Sequence, residues 1–258
     1  MDFTLEIYKK LLTALKQAGY SFITFEEFCE GKQNEKFVIL RHDIDKFPKN
    51  ALIFAKIENE LSIKSTYFFL TKKSVFKQDI IRQIYSFNHK IGYHYKDFVD
   101  AKGNAERAII LFEKNLSLLR TVVPVKTIAM DGCPTSRHHN HKLWETYNYR
   151  NFAIIGEPYF DVDFNEVYYL TDTGRRWNGE RFSVRDKVKS NFNLHYKTTN
   201  DIINAAISGS LPAKIMITAH PQRWTDKPIA WIKELVLQSF KNILKLMIKK
   251  IRWRMQKL

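Results

Sequence analysis

Acidic residues and histidines follow four short apolar segments that the sequence predicts as strands. They are Asp43 and Asp45 after residues 37–40, His94 after 91–93, Asp131 after 127–130 and His220 after 214–218. In parallel α/β folds the carboxyl ends of the strands meet at one edge, so we expect these side chains to share a site. Carboxylates and imidazoles that converge in this way can hold a divalent metal and supply the acid and the base of a hydrolysis.

Helical and strand-like segments alternate along the first half of the chain. Apolar periodicity predicts helices over residues 4–18, 49–61, 78–87 and 104–120. Apolar, β-branched and aromatic runs predict strands at 37–41, 64–70, 91–95, 127–130, 167–170 and 214–218. Such alternation favours an α/β fold with parallel strands, either a barrel or a doubly wound sheet. Over residues 227–258 the sequence pattern predicts one helix or two helices in series.

Composition excludes several classes of protein. With 258 residues, 45% hydrophobic and 27% charged, the chain can bury a full core and is not wholly disordered. Its two cysteines, Cys29 and Cys133, form no disulfide framework and suit a reducing compartment. The sequence shows neither a secretory signal nor an apolar run of about 18 residues. We expect a cytoplasmic protein, with a peripheral position at the inner face of the membrane as the alternative.

The net charge of +15 is concentrated at the end of the chain. Residues 241–258 contain seven lysines and arginines and no acid, which leaves +8 over the other 240 residues. The sequence contains no zinc finger, no aromatic RNA-binding motif and no convincing helix-turn-helix. We therefore expect no nucleic-acid partner.

Four stretches of the sequence resemble polysaccharide deacetylases of the carbohydrate esterase family 4 type, in particular the divergent branch found in bacterial surface-polysaccharide gene clusters. They are residues 40–45 (Leu-Arg-His-Asp-Ile-Asp), 51–69 with Lys-Ser-Thr-Tyr-Phe-Phe from Lys64, 88–95 (Asn-His-Lys-Ile-Gly-Tyr-His-Tyr) and 219–224 (Ala-His-Pro-Gln-Arg-Trp). The resemblance covers most of residues 20–225. It implies a distorted (β/α) barrel over residues 1–226, followed by a basic amphipathic helix over 227–258.

The resemblance also implies site roles. Asp43 is similar to the family's general base and Asp45 to its metal-binding carboxylate, with zinc as the expected metal. His94 corresponds to the first histidine of a His-x-x-x-His metal motif. His220 resembles the histidine that protonates the leaving amine. These residue types suit amide hydrolysis, because an unprotonated amine is a poor leaving group.

The second histidine of that motif is missing, because position 98 is a phenylalanine. Asp45 and His94 alone are too few for tight zinc binding, which requires three protein ligands. The candidates for the third ligand are Asp97, Asp131 and one of His138, His139 and His141. We favour Asp131, since it follows a strand of its own. Without a third ligand, the chain could bind a sugar and not cut it.

Further residues are candidates for contact with the substrate: His42, Asp97, Asp172, Arg175, Arg176, Trp177 and Trp224. Residues 171–177 (Thr-Asp-Thr-Gly-Arg-Arg-Trp) combine a guanidinium fork with an aromatic face, which can line a sugar or pyrophosphate pocket. Asp172 could orient one of the two arginines. An ordinary salt bridge in a loop explains the same residues almost as well.

The C-terminal helix has two interpretations. Its apolar residues are Phe240, Ile243, Leu244, Met247, Ile248, Ile251 and Met255. In the first interpretation this face packs on the barrel and the cationic face is solvated. In the second, residues 240–258 lie on an anionic lipid surface.

The combined expectation is a metal-dependent hydrolase that removes an N-acyl group, in the first place acetyl, from an amino sugar. The pathway we expect is surface-polysaccharide or lipopolysaccharide biosynthesis, with a nucleotide-linked or lipid-linked sugar as the substrate. The alternative is a catalytically inactive homologue that binds carbohydrate.

Overall fold

The computed structural model describes residues 1–178 and 188–255, and seven strands in these ranges form one parallel sheet. The strands are β1 (Ser21–Ile23), β2 (Phe37–Ile44), β3 (Thr66–Phe69), β4 (Lys90–Tyr95), β5 (Ile128–Met130), β6 (Tyr168–Thr171) and β7 (Lys214–Ala219). Their order is β5-β4-β3-β2-β7-β6, and β1 pairs with the first half of β2. The predicted α/β fold with parallel strands is confirmed, as a barrel left open between β5 and β6 within the described residues.

Nine α-helices accompany these strands in the described ranges. They are α1 (Leu5–Gln17), α2 (Phe25–Cys29), α3 (Pro48–Glu60), α4 (Gln78–Ser86), α5 (Asp97–Asp100), α6 (Ala105–Arg120), α7 (Pro158–Asp161), α8 (Thr199–Ile207) and α9 (Pro228–Met255). Local sequence explains where several begin: the side chains of Thr4 and Asn104 cap α1 and α6, and Pro48 is the first residue of α3. Short 3₁₀ helices cover Asn140–Glu145, Tyr149–Phe152 and Pro221–Arg223.

Strand β2 is longer than its apolar run predicts. It continues to Ile44 because residues 41–44 pair with β3 on one side, while residues 37–42 pair with β7 on the other. Asp43 is consequently inside the strand, opposite Phe68, rather than in a loop after it. His94 is likewise inside β4, opposite Ala129. Both side chains are therefore fixed by strand pairing.

Alternate residues of β2 face two different cores. Val38, Leu40 and Ile44 belong to the large core between the sheet and the helices, and Phe37 and Ile39 to a smaller core on the other face. Since side chains alternate along a strand, Asp43 lies on the face of the smaller core and His42 on the helix face.

The sheet is strongly curled. Neighbouring strands are about 4.8 Å apart, so residues on β2 and β4, with β3 between them, would be about 10 Å apart in a flat sheet. The side-chain ligand atoms of Asp45, His94 and Asp131 nevertheless lie within 4.8 Å of one another. The curl therefore brings the carboxyl ends of β2, β4 and β5 around one point.

The C-terminal segment forms one continuous helix, α9. Its apolar face does not pack on the barrel, contrary to the first interpretation of this helix. Gln238 and Asn242 are buried, whereas Phe240, Ile243 and Met247 are exposed. The helix thus packs on the rest of the chain through polar residues. The boundary between residues 226 and 227 stays a prediction. Among the described helices, none has the length and apolarity that a bilayer crossing requires.

Candidate active site

Asp45, His94 and Asp131 form a cluster that could hold a metal ion. Asp45 directly follows β2, His94 belongs to β4 and Asp131 directly follows β5. Nε2 of His94 is 3.5 Å from Oδ1 of Asp45, and one ligand atom of each residue lies within 4.8 Å of the others. Among the candidates for the third ligand, the structure brings Asp131 to this cluster.

The surroundings of the three residues fit a divalent cation. Nδ1 of His94 is 3.0 Å from the carbonyl oxygen of Ala129, so Nδ1 carries a proton and Nε2 is the nitrogen that faces the cluster. Asp45 accepts a hydrogen bond from the Gln222 amide at 3.1 Å, and Asp131 accepts one from the backbone nitrogen of Cys133 at 2.9 Å. Two carboxylates and one imidazole form a three-ligand set of the kind that catalytic zinc sites use.

Charge at the cluster also favours a cation. Burial alone would lower the pKa of His94, but the carboxylates of Asp43 and Asp45 outweigh it and raise that pKa to about 9. A site that holds a proton on a buried imidazole so firmly is strongly electronegative, and a metal ion can replace that proton.

Asp43 stands beside the cluster and is held by Arg41. The guanidinium donates two hydrogen bonds to the carboxylate, from Nε at 2.7 Å and from Nη2 at 2.8 Å. Burial would raise the pKa of Asp43, but Arg41 and His94 lower it below its usual range. Asp43 is therefore ionised and can accept a proton. Arg41 is a site residue without a predicted role, although its position two residues before Asp43 in a strand places both side chains on one face.

His220 follows β7 and is oriented by Asp172, which follows β6. Nδ1 of His220 is 2.6 Å from Oδ1 of Asp172, and the His220 backbone nitrogen donates to Oδ2 at 2.9 Å. Burial would raise the pKa of Asp172, but Arg223 and His220 lower it to about 2. The ionised carboxylate at Nδ1 favours the tautomer with the proton on that nitrogen, and Nη1 of Arg223 lies 2.8 Å from the same atom. Asp172 is thus placed to position His220 rather than to contact a substrate.

These groups line one pocket of about 390 Å³. The pocket is lined by all five residues that the sequence predicted at the strand ends: Asp43, Asp45, His94, Asp131 and His220. It is also lined by Phe47 and by Leu237, Lys241 and Lys245 of α9, for which the sequence offered no site signal. The C-terminal helix therefore forms one wall of the candidate site.

A smaller side chamber of about 50 Å³ adjoins this pocket and shares Asp43, Met130 and His220 with it. Phe164 and Tyr169 line the chamber together with Glu157. Burial raises the pKa of Glu157 to about 7, against a smaller opposing effect of Arg41. Since one water needs about 10–15 Å³ of such space, the chamber can hold a group of only a few heavy atoms.

The structure places the other predicted contact residues outside the pocket. His42 lies on the helix face of β2, with Nε2 2.7 Å from Oε1 of the buried Glu58. Asp97 is buried, accepts hydrogen bonds from Tyr93 and Asn115, and has its pKa raised to about 6 by burial.

Residues 171–177 contact other parts of the protein and do not place an arginine in the pocket. The Arg175 guanidinium stacks over Trp231 at 4.2 Å and donates to its carbonyl oxygen at 2.8 Å. Arg176 is exposed. Trp177 donates to Thr199 at 2.8 Å, and Trp224 donates to Asp172 at 2.8 Å, both with buried rings. Asp172 therefore pairs with Arg223, and neither Arg175 nor Arg176 is its partner among the contacts described.

The histidines at 138, 139 and 141 lie beside the pocket region without joining the cluster. His138 packs edge-on against Phe98 with ring centroids 6.1 Å apart, and His141 stacks on Tyr159 at 5.0 Å. The phenylalanine at position 98 is thus a packing residue at the place where the resembling family has a ligand.

No protein-family profile and no curated protein matches the chain. Several solved structures do. One is a carbohydrate esterase family 4 pseudoenzyme from Bacillus anthracis, 14% identical, with 82% of this chain aligned to 62% of that protein and a TM-score of 0.46. A second is a carbohydrate esterase family 4 esterase from Streptococcus mutans, also 14% identical, with coverages of 88% and 89% and a TM-score of 0.46. A third is a peptidoglycan deacetylase from Bacillus subtilis, 8% identical, with coverages of 84% and 98% and a TM-score of 0.40. The solved structures to which this chain is similar therefore include a pseudoenzyme and an esterase of carbohydrate esterase family 4 and a peptidoglycan deacetylase.

Proposed function

We propose that this chain is a metal-dependent hydrolase that removes an N-acyl group, acetyl in the first place, from an amino sugar. One observation carries the proposal. An ionised aspartate held by an arginine, and a histidine held by a second aspartate, line the same pocket as a three-ligand Asp-His-Asp cluster. This set of groups can supply the base, the acid and the metal ligands of an amide hydrolysis.

Asp43 and His220 divide the proton transfers between them. Asp43 is ionised and accepts a proton from the attacking water, and the two hydrogen bonds from Arg41 keep its carboxylate in one orientation. His220 delivers its Nε2 proton to the departing nitrogen as an imidazolium whose Nδ1–H is held by Asp172, and it is left as the neutral imidazole. Asp172 and Arg41 act as positioning residues.

Asp45, His94 and Asp131 would hold the divalent metal, with zinc as the first choice. When bound there, the metal polarises the acyl carbonyl and lowers the pKa of the attacking water.

The size and charge of the pocket favour a short acyl group on a phosphate-bearing sugar. The side chamber next to Asp43 and His220 accommodates only a few heavy atoms, which suits acetyl better than a fatty acyl chain. Lys46, Lys241 and Lys245 line the main pocket and can attract a phosphate. We therefore propose a nucleotide-linked or lipid-linked amino sugar as the substrate, in the assembly of a surface polysaccharide or lipopolysaccharide inside the cell.

The second candidate is a homologue that binds carbohydrate without cutting it. Its support is the ligand set, which has one histidine where the resembling family has two. A set with an extra carboxylate could bind the metal differently or too weakly for catalysis.

Elemental analysis of zinc-loaded protein, combined with an assay for acetate release from free and nucleotide-linked acetamido sugars, tests both candidates. We expect about one metal per chain and acetate release in the wild type, and loss of both in Asp45→Asn. Asp79→Asn is the matched control, because Asp79 is a fully exposed carboxylate on α4. Metal binding without acetate release from any of these sugars would favour the binding homologue. A folded wild type that takes up no metal would rule out the hydrolase.

A further inference from the structure

The C-terminal helix α9 packs on the protein through its polar side. Gln238 and Asn242 are only 4% and 7% exposed, and Gln238 donates to the Asn242 side chain at 2.9 Å. The Asn242 amide in turn donates to the carbonyl oxygen of Gly174 at 2.9 Å. Two turns earlier along the same side, Trp231 is held by Arg175. The contacts of α9 with Gly174 and Arg175 thus fix which side of the helix faces the body.

The opposite side of α9 is an exposed apolar stripe, which we call the outer stripe. It consists of Ile229, Ile232, Val236, Phe240, Ile243, Leu244 and Met247, each 43–85% exposed. The spacing of three and four residues places them on one face, and they extend over about 27 Å of helix. An amphipathic helix of a globular protein normally buries such a face against the core, so a contiguous exposed apolar stripe indicates a surface that binds something.

Charge on α9 indicates which kind of surface it binds. Residues 228–258 contain eight lysines and arginines and one acid, Glu234. A second copy of this chain would oppose two strongly cationic segments, whereas an anionic bilayer offers apolar chains below a negative headgroup layer. Lysines beside an apolar helix face are the features of helices that lie in the plane of such a membrane surface.

The candidate active site adjoins the same helix. Leu237, Lys241 and Lys245 line the pocket from the inner side of α9. Because a helix with its side chains is about 10 Å in diameter, a membrane that contacts the outer stripe would lie roughly that distance from the pocket wall. The lysines on that wall would then meet phosphates of the headgroup layer.

We propose that the outer stripe of α9 docks on an anionic membrane surface and brings the pocket to a lipid-linked substrate, an amino sugar attached to the lipid through phosphate. The substrate half of this proposal rests on the proposed hydrolase function. The docking half does not, because it depends only on α9.

Flotation of the full-length protein with vesicles tests the docking. We expect binding to vesicles of phosphatidylglycerol and phosphatidylethanolamine and little binding to phosphatidylcholine. The triple variant Val236→Ser, Phe240→Ser, Ile243→Ser should bind at least about tenfold more weakly, since three apolar side chains no longer enter the bilayer. Ile110→Ser, Leu118→Ser, Ile207→Ser is the matched control, with three exposed apolar residues on α6 and α8, and should bind as the wild type does.

Two results would overturn the docking. In the first, the wild type fails to float with anionic vesicles. In the second, the outer-stripe variant floats as well as the wild type. A wild type that is dimeric by sedimentation velocity and does not float, together with a monomeric outer-stripe variant, would assign the stripe to a second copy of the chain. Asp45→Asn should float normally while losing metal, which separates docking from the metal site.

Acetate release from N-acetylglucosamine linked through phosphate to a polyprenyl chain in vesicles tests the substrate half. The outer-stripe variant should lose at least about tenfold on this probe and retain its rate on a soluble acetamido-sugar nucleotide. An equal loss of rate on both probes, or no loss on either, would overturn the proposal of a lipid-linked substrate. A wild type that binds vesicles but releases acetate from neither probe would contradict the hydrolase and leave the docking intact.

Discussion

Arg41 and Asp43 stand two residues apart on β2, and the arginine Nε and Nη2 donate to the two carboxylate oxygens at 2.7 and 2.8 Å. Strand geometry alone brings the two side chains to one face, so the pair needs no other element to form. The carboxylate that we propose as the base is therefore ionised and fixed in orientation before a substrate enters.

Replacement of Arg41 should lower kcat more than it weakens substrate binding. Arg41→Lys keeps the charge but cannot make the two-pronged contact, because an ammonium is a point charge. We expect kcat to fall by about tenfold to a hundredfold with KM changed little, measured by acetate release. Metal content should stay at the wild-type level, since Arg41 contacts none of the three ligands in the described structure. A loss of metal in this variant would contradict a role confined to Asp43.

Replacement of Asp172 should lower kcat as much as replacement of a residue that contacts the substrate. In Asp172→Asn a neutral amide no longer stabilises the imidazolium form of His220, which gives its Nε2 proton to the leaving nitrogen. We expect kcat to fall by about a hundredfold or more, with metal content unchanged. The assay must be run well below the melting temperature of the variant, because Arg223 also loses its buried partner. Wild-type kcat in a folded variant would rule out this positioning role.

Asp131 and Asp97 offer a direct comparison of the two carboxylates that were candidates for the third metal ligand. Asp131→Asn should lose bound zinc, because its oxygen is one of the three ligand atoms within 4.8 Å. Asp97→Asn should retain zinc, since its carboxylate is occupied by Tyr93 and Asn115 away from the cluster. Isothermal titration with zinc measures both. Equal affinities in the two variants would contradict the assignment of the third ligand.

Acid should destabilise the protein through the buried Glu58. This carboxylate accepts hydrogen bonds from Tyr8 at 2.5 Å, Ser65 at 2.6 Å and Tyr67 at 2.9 Å, and it pairs with His42. Burial would raise its pKa, but His42, His89 and the hydrogen bond from Ser65 lower it from 4.5 to about 2. The folded pKa lies below the unfolded one, so the stabilisation is present above about pH 4.5 and is lost as the pH falls towards 2. The linked free energy of unfolding is roughly 3 kcal/mol.

Thermal melts of the wild type and of Glu58→Gln between pH 3 and pH 7 measure this linkage. The variant should be less stable at pH 7, where it lacks the charged partner of His42, and its melting temperature should fall less steeply below pH 4.5. Parallel curves for the two proteins would show that other groups dominate acid unfolding.

The sequence alone determined the strand–helix alternation and the five residues at the strand ends. Both depend on local rules. Apolar periodicity reports which segments pack, and parallel strands must end at one edge, so Asp43, Asp45, His94, Asp131 and His220 could be grouped without knowing the shape of the sheet. All five line one pocket.

Only the tertiary structure decided which other side chains reach that pocket. The sequence favoured Asp131 over Asp97 as the third ligand without excluding Asp97, and the curl of the sheet decides for Asp131 by bringing β5 round to β2. Asp172 resembled a partner for the neighbouring arginines, yet β6 pairs with β7 and presents it to His220 instead. The buried face of α9 could not be predicted either, because periodicity shows that a helix has two faces and not which one is buried. That choice follows from contacts with Gly174 and Arg175, more than fifty residues earlier in the chain.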